Sequence, residues 1–161
     1  MSVIPQRLHE LAEVVKRTPG FEYWQPDYSS ASLDTLGEWF ATQVETRNRT
    51  KEEIRTIENR LIFQMEIENE ELTSRTFSLA MDIGMYLSQV FLKNYPSLRL
   101  EQACDDKKLA DYGQPLIAGF GPLFLNPVRI AITLAYGLAR KNETGKRLRE
   151  VYDYWAKMIK E

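Results

Sequence analysis

Between Ala110 and Lys141 the chain reads ADYGQPLIAGFGPLFLNPVRIAITLAYGLARK, an apolar strand pattern punctuated by glycine and proline that runs directly into a helix. The constraint lies in Asn126-Pro127. An asparagine side chain at a helix start accepts from an otherwise unpaired amide, and a proline in the first turn has no amide to leave unpaired. A helix therefore begins there, with Val128, Ala131, Leu134, Ala135 and Leu138 on its apolar face. Leu116 to Phe120 and Leu123 to Leu125 become strands before it, while Gly121-Pro122 is a turn. Leu98 to Cys104 alternates in the manner of a strand near a sheet edge. Across the polar connection 105–113 it forms an antiparallel pair with Leu116 to Phe120. A lone hairpin is marginal in water, so this one must pack against helices.

The remainder has helical periodicity. Pro5 to Arg17 places Leu8, Leu11, Ala12 and Val15 on one face, and Thr18-Pro19-Gly20 stops it. Ser32 is the expected N-cap of a second helix with Leu33, Leu36, Phe40 and Val44 on one stripe and Trp39 flanking it. Thr50-Lys51-Glu52-Glu53 has the form of a capping box. Ile54, Ile57, Leu61 and Met65 follow at helical spacing. A fourth helix is expected from about Glu71 to Tyr95, ended by Pro96. Its polar arc holds Arg75, Ser78, Asp82, Gln89 and Lys93, and its core face holds Leu79, Ile83, Tyr86, Leu87 and Val90. A last helix from about Thr144 turns Leu148, Val151, Tyr152, Trp155 and Ile159 inward. The fold class is therefore α+β, predominantly helical, with about six helices packed around a small antiparallel sheet or hairpin at 97–125. All 161 residues are read as one domain.

Charge excludes one broad class. Twenty-one Lys plus Arg against 23 Asp plus Glu give a net charge of −2, so no overall field draws the chain to nucleic acid or an anionic membrane. The basic group Arg140, Lys141, Lys146, Arg147 and Arg149 is diluted by Glu143, Glu150 and Asp153. The apolar run Phe77 to Leu92 is interrupted by Ser78, Asp82, Ser88 and Gln89, so no membrane span is expected. With one cysteine, Cys104, no disulfide forms within the chain. With no signal-peptide pattern at the N-terminus, a cytoplasmic location is expected.

Reactive side chains are sparse. His9 lies opposite the apolar stripe of the first helix and reads as a solvated histidine. Cys104 precedes Asp105 and Asp106, whose charge suppresses the thiolate. Glu66, Glu68, Glu70 and Glu71 lack the spacing of a calcium loop, and no metal or cofactor is expected. Gly119-Phe120-Gly121 lacks the further residues of a phosphate-binding loop. The aromatic-rich loop 21–32 supplies partner-binding candidates in Tyr23, Trp24 and Tyr28, residue types enriched at binding hot spots, although a cap on the domain's own core is the favoured reading of the same side chains. Ligand-binding candidates gather around the hairpin and the following helix start: Tyr112, Gln114, Asn126 and Arg129, with Asp82 as acid or base if it is buried.

A helix carrying Asp82-Ile83-Gly84-Met85-Tyr86-Leu87, a short strand after Pro96, Tyr112-Gly113-Gln114-Pro115 before a second strand, then Asn126-Pro127 and two closing helices form a recognisable order. Over about the last half of the chain this order resembles a family of small bacterial α+β domains, some of them similar to toxin-immunity proteins. The resemblance implies an interaction role and supplies no catalytic residue. The expected function is a non-enzymatic protein-binding domain of immunity or adaptor type, with a protein partner and with self-association where one helix has surplus apolar surface. The alternative is a small-ligand protein or enzyme with its site between the 112–125 hairpin and the helix starting at Asn126.

Overall fold

A computed structural model describes residues 3–60, 70–102 and 115–159. Among these residues there are six helices and two small antiparallel sheets, in the order α1 (Val3–Arg17), α2 (Ser32–Gln43), β1 (Thr46–Asn48), α3 (Lys51–Arg60), β2 (Glu70–Leu72), α4 (Ser74–Asn94), β3 (Arg99–Gln102), β4 (Pro115–Phe120), β5 (Leu123–Leu125), α5 (Pro127–Ala139) and α6 (Arg147–Ala156). The predominantly helical α+β architecture is as the sequence implies.

Helix α4 is the axis of the molecule. Thr73 caps its start through an Oγ1 that accepts from the Thr76 amide, and Leu79, Ala80, Ile83, Tyr86, Leu87, Val90 and Phe91 are buried along it. Helices α1 and α5 lie against it, and α2 packs on α6. At Gly84 the α4 and α5 backbones meet so closely that a Cβ would sit 2.7 Å from the Val128 Cα. The expected core face of α4 is correct, as are the inward residues Leu8, Leu11, Ala12 and Val15 of α1. Each large apolar side chain so buried contributes roughly 1.5–3 kcal/mol.

The three-stranded sheet has the order β3–β4–β5. Arg99 pairs with Ala118 and Gln102 with Pro115, and a register irregularity separates the Ile117–Leu125 and Phe120–Leu123 pairs. Gly119 has φ +127°, and a Cβ there would meet the Leu98 side chain at 2.6 Å, so this strand position admits only glycine without rearrangement. Ile117, Phe120 and Leu125 face the helices. The Phe120 ring stands edge-on to Phe91 at 5.7 Å and to Trp155 at 5.1 Å.

Four local expectations are corrected. Ser32 is the first residue of α2, with Ala31 at the cap position; its hydroxyl instead bonds the Ser29 carbonyl and Tyr86. Trp39 is fully buried rather than flanking, its indole N–H donating to Thr18 Oγ1 at 2.8 Å. Glu70 and Glu71 belong to β2, paired with Asn48 and Arg47, so α4 starts at Ser74. Asp82 leaves the expected polar arc because α1 crosses over it. The capping box of α3 forms as expected: the Thr50 amide donates to Glu53 and the Glu53 amide to Thr50 Oγ1. Leu61 and Met65 lie outside the described residues.

Candidate functional site

A cleft of about 430 Å³ opens between β5, α5 and α6. Its geometry follows from helix periodicity. Asn126, Arg129, Ile130, Thr133 and Leu134 repeat at three and four residues along one face of α5, while Arg147, Val151 and Trp155 repeat at four along α6. Leu125 and Leu134 are buried in the floor, Ile130, Val151 and Trp155 form partly buried walls, and Arg129, Thr133, Glu143 and Arg147 lie exposed around the mouth. Beside the mouth Leu123 is 50% exposed and Phe124 53%. Both follow a turn made possible by Gly121 at φ +71°.

Asn126 holds this arrangement rather than offering its carbonyl to a ligand. Its Oδ1 accepts from the Arg129 amide at 3.0 Å, the N-cap bond implied by Asn126-Pro127. Glu143 lies 3.9 Å from Arg147, which also approaches Glu150 at 4.0 Å, so the rim carries loose, exposed ion pairs of both signs. Such pairs contribute at most about 1 kcal/mol and are easily exchanged for pairs with a partner. The cleft thus combines an apolar interior containing an indole with a charged rim.

The ligand-binding candidates divide between two places. Asn126 and Arg129 line the cleft. Asp82 is 6% exposed and faces α1, where Arg7 donates to it from Nε and Nη2 at 2.9 Å. Burial pushes the Asp82 carboxyl above its ordinary range despite the opposing pull of Arg7, with Glu10 adding to the rise. It therefore joins α1 to α4 and takes no part in the cleft. Tyr112 and Gln114 lie outside the described residues, as do Cys104, Glu66 and Glu68. Glu70 accepts from Thr46, and Glu71 pairs with Arg47 and Arg49.

The aromatic loop separates just as clearly. Trp24 is 3% exposed and donates its indole N–H to the Ser32 carbonyl at 3.1 Å. Tyr28 is partly buried, stacked on Tyr86 at 5.2 Å, and its amide donates to the Tyr86 hydroxyl. These two rings close the core, and a surface role for Trp24 does not fit its burial. Tyr23, at 69% exposure, remains outside. His9 is exposed on α1.

No protein family, curated protein or solved structure matches this chain. Leu123, Phe124, Ile130, Thr133, Val151 and Trp155 were not among the sequence candidates. The sequence turns Val151 and Trp155 inward with Leu148 and Tyr152; that they also line a cleft beside Arg147, facing the strand tip, is assigned only by the fold.

Proposed function

We propose that the chain is a non-enzymatic, cytoplasmic bacterial protein-binding domain, of the immunity or adaptor kind, whose β5–α5–α6 cleft takes up an apolar side chain from a partner protein. The observation that supports this reading is the sequence of surfaces at one place: half-exposed Leu123 and Phe124, an apolar interior reaching Trp155, and a rim of Arg129, Glu143 and Arg147. An aromatic-containing apolar centre enclosed by exposed charges is the composition that concentrates binding energy in protein interfaces. The partner segment that fits carries a bulky apolar residue with polar groups of either sign beside it, able to replace Glu143 and Arg147 as each other's neighbour.

The cleft volume also lies within the roughly 300–1,000 Å³ range of small-molecule sites, which favours a small apolar ligand as the second reading. A photo-crosslinking residue at Phe124, introduced in the producing cell, separates the two. Protein binding at the cleft gives one discrete adduct that Ile130→Glu abolishes without loss of folding, and no comparable adduct from the same group placed at Tyr23. An adduct from Tyr23 alone moves the interface to the aromatic loop. No adduct at either position, with a small molecule retained in native mass spectrometry, establishes the ligand reading.

A further inference from the structure

Helix α3 is the one helix for which burial gives no account among the described residues: none of its residues is buried, and Ile54 and Ile57 belong neither to the core nor to the partly buried side chains packed on it. A helix without a packed face is marginal in water. Its beginning is nevertheless built with care. The Thr50–Glu53 capping box is reinforced by Arg47, which bonds Glu53 at 2.6 Å and also reaches Glu71 on β2. Arg47 and the Thr50 amide hold the Glu53 carboxyl down at about 2.

The charges beside the apolar stripe point to what covers it. On a heptad wheel with Ile54 at a and Ile57 at d, Lys51 and Glu58 fall on one flank at e, and Glu53 and Arg60 on the other at g. When a second α3 lies antiparallel about a two-fold axis near residues 55 and 56, each flank meets the same flank of its copy. Ile54 then packs on Ile57, Lys51 opposes Glu58, and Glu53 opposes Arg60. A parallel pair would set Glu53 against Glu58. Lys51 and Glu58 are both exposed and free of any hydrogen-bond geometry that would have to break, whereas Glu53 is already committed to Arg47.

We propose that the chain self-associates through α3, as an antiparallel two-fold pair whose register is set by Lys51 and Glu58. The occupant is a second copy because this face is complementary to itself in one orientation only, as an isologous interface requires. The described part of α3 presents two isoleucines to its copy, so the dimer is expected to be weak, with a dissociation constant on the order of tens to hundreds of micromolar.

Sedimentation equilibrium of the full chain tests this. The wild type is expected to pass from monomer to dimer with concentration. Lys51→Glu and Glu58→Lys each place like charges opposite one another and are expected to weaken the dimer roughly tenfold. Mixed one to one, the two variants restore opposite charges on both contacts and recover association as a heterodimer. Both substitutions suit the helix dipole, an acid in the first turn and a base near the last, so helix loss does not mimic the result. A chain monomeric up to about 1 mM, a dimer indifferent to either variant, or a mixture that fails to recover overturns the proposal.

Discussion

The Tyr86 hydroxyl links three parts of the chain. It accepts from the Tyr28 amide at 3.1 Å and shares a 2.7 Å hydrogen bond with Ser32 Oγ. Tyr28 itself sits at φ +62°, a conformation a bulky residue adopts only where its surroundings hold it. Tyr86→Phe is expected to cost about 1–2 kcal/mol in urea unfolding, and Trp24→Ala about 3–5 kcal/mol, because the latter empties a core site. Asp82 carries a pH signature. Its folded carboxyl titrates above the unfolded value, so between the two values the folded chain holds more protons, and ionised Asp82 opposes folding. Wild-type stability is therefore expected to rise relative to Asp82→Asn as pH falls from neutrality through the raised folded value, levelling off below the unfolded one, in unfolding curves measured at stepped pH. The burial of Asp82 was not legible in sequence because a helical projection sees one helix, and the guanidinium of Arg7 arrives from another. Trp24 and Tyr28 illustrate the same limit: their residue types suit an interface or a core, and only the position of Tyr86 decides.

Two helix starts were legible, since a cap is a contact between residues three apart, whereas the starts of α2 and α4 were misplaced. Thr50 with Glu53 and Asn126 with Arg129 both form as the sequence implies. Asn126→Ala is expected to lower stability by about 1 kcal/mol. Strand β2 was illegible for the opposite reason. Glu70-Glu71-Leu72 has no strand character of its own, and its conformation comes from pairing with Thr46–Asn48 and from the Arg47 and Arg49 contacts to Glu71. The α4–α5 crossing adds a feature that neither helix shows alone. Gly84→Ala must displace the Val128 backbone and is expected to cost roughly 1–3 kcal/mol, read as a lower melting temperature.

Across the molecule the ion pairs among the described residues are made by arginines. Arg149 bonds Asp34 at 2.8 Å and Asp153 at 3.3 Å, Arg147 approaches Glu143 and Glu150, and none of the helices among the described residues is long and apolar enough to cross a membrane. The cleft and α3 differ in kind: one is a concave site lined by core elements, the other a helix none of whose residues is buried. The pairing of β1 with β2 makes that difference structural. Thr46 faces Leu72 and Asn48 faces Glu70, so the chain leaves the body and returns to it at the same point. The β1–β2 pair is thus a socket, and the described part of what it holds, α3, adds no buried residue to the core. Replacing residues 49–69 with Asn-Gly would close the socket as a two-residue hairpin. The shortened protein is expected to keep its core and its cleft and to sediment as a monomer, making this the place where the chain tolerates exchange of whole modules.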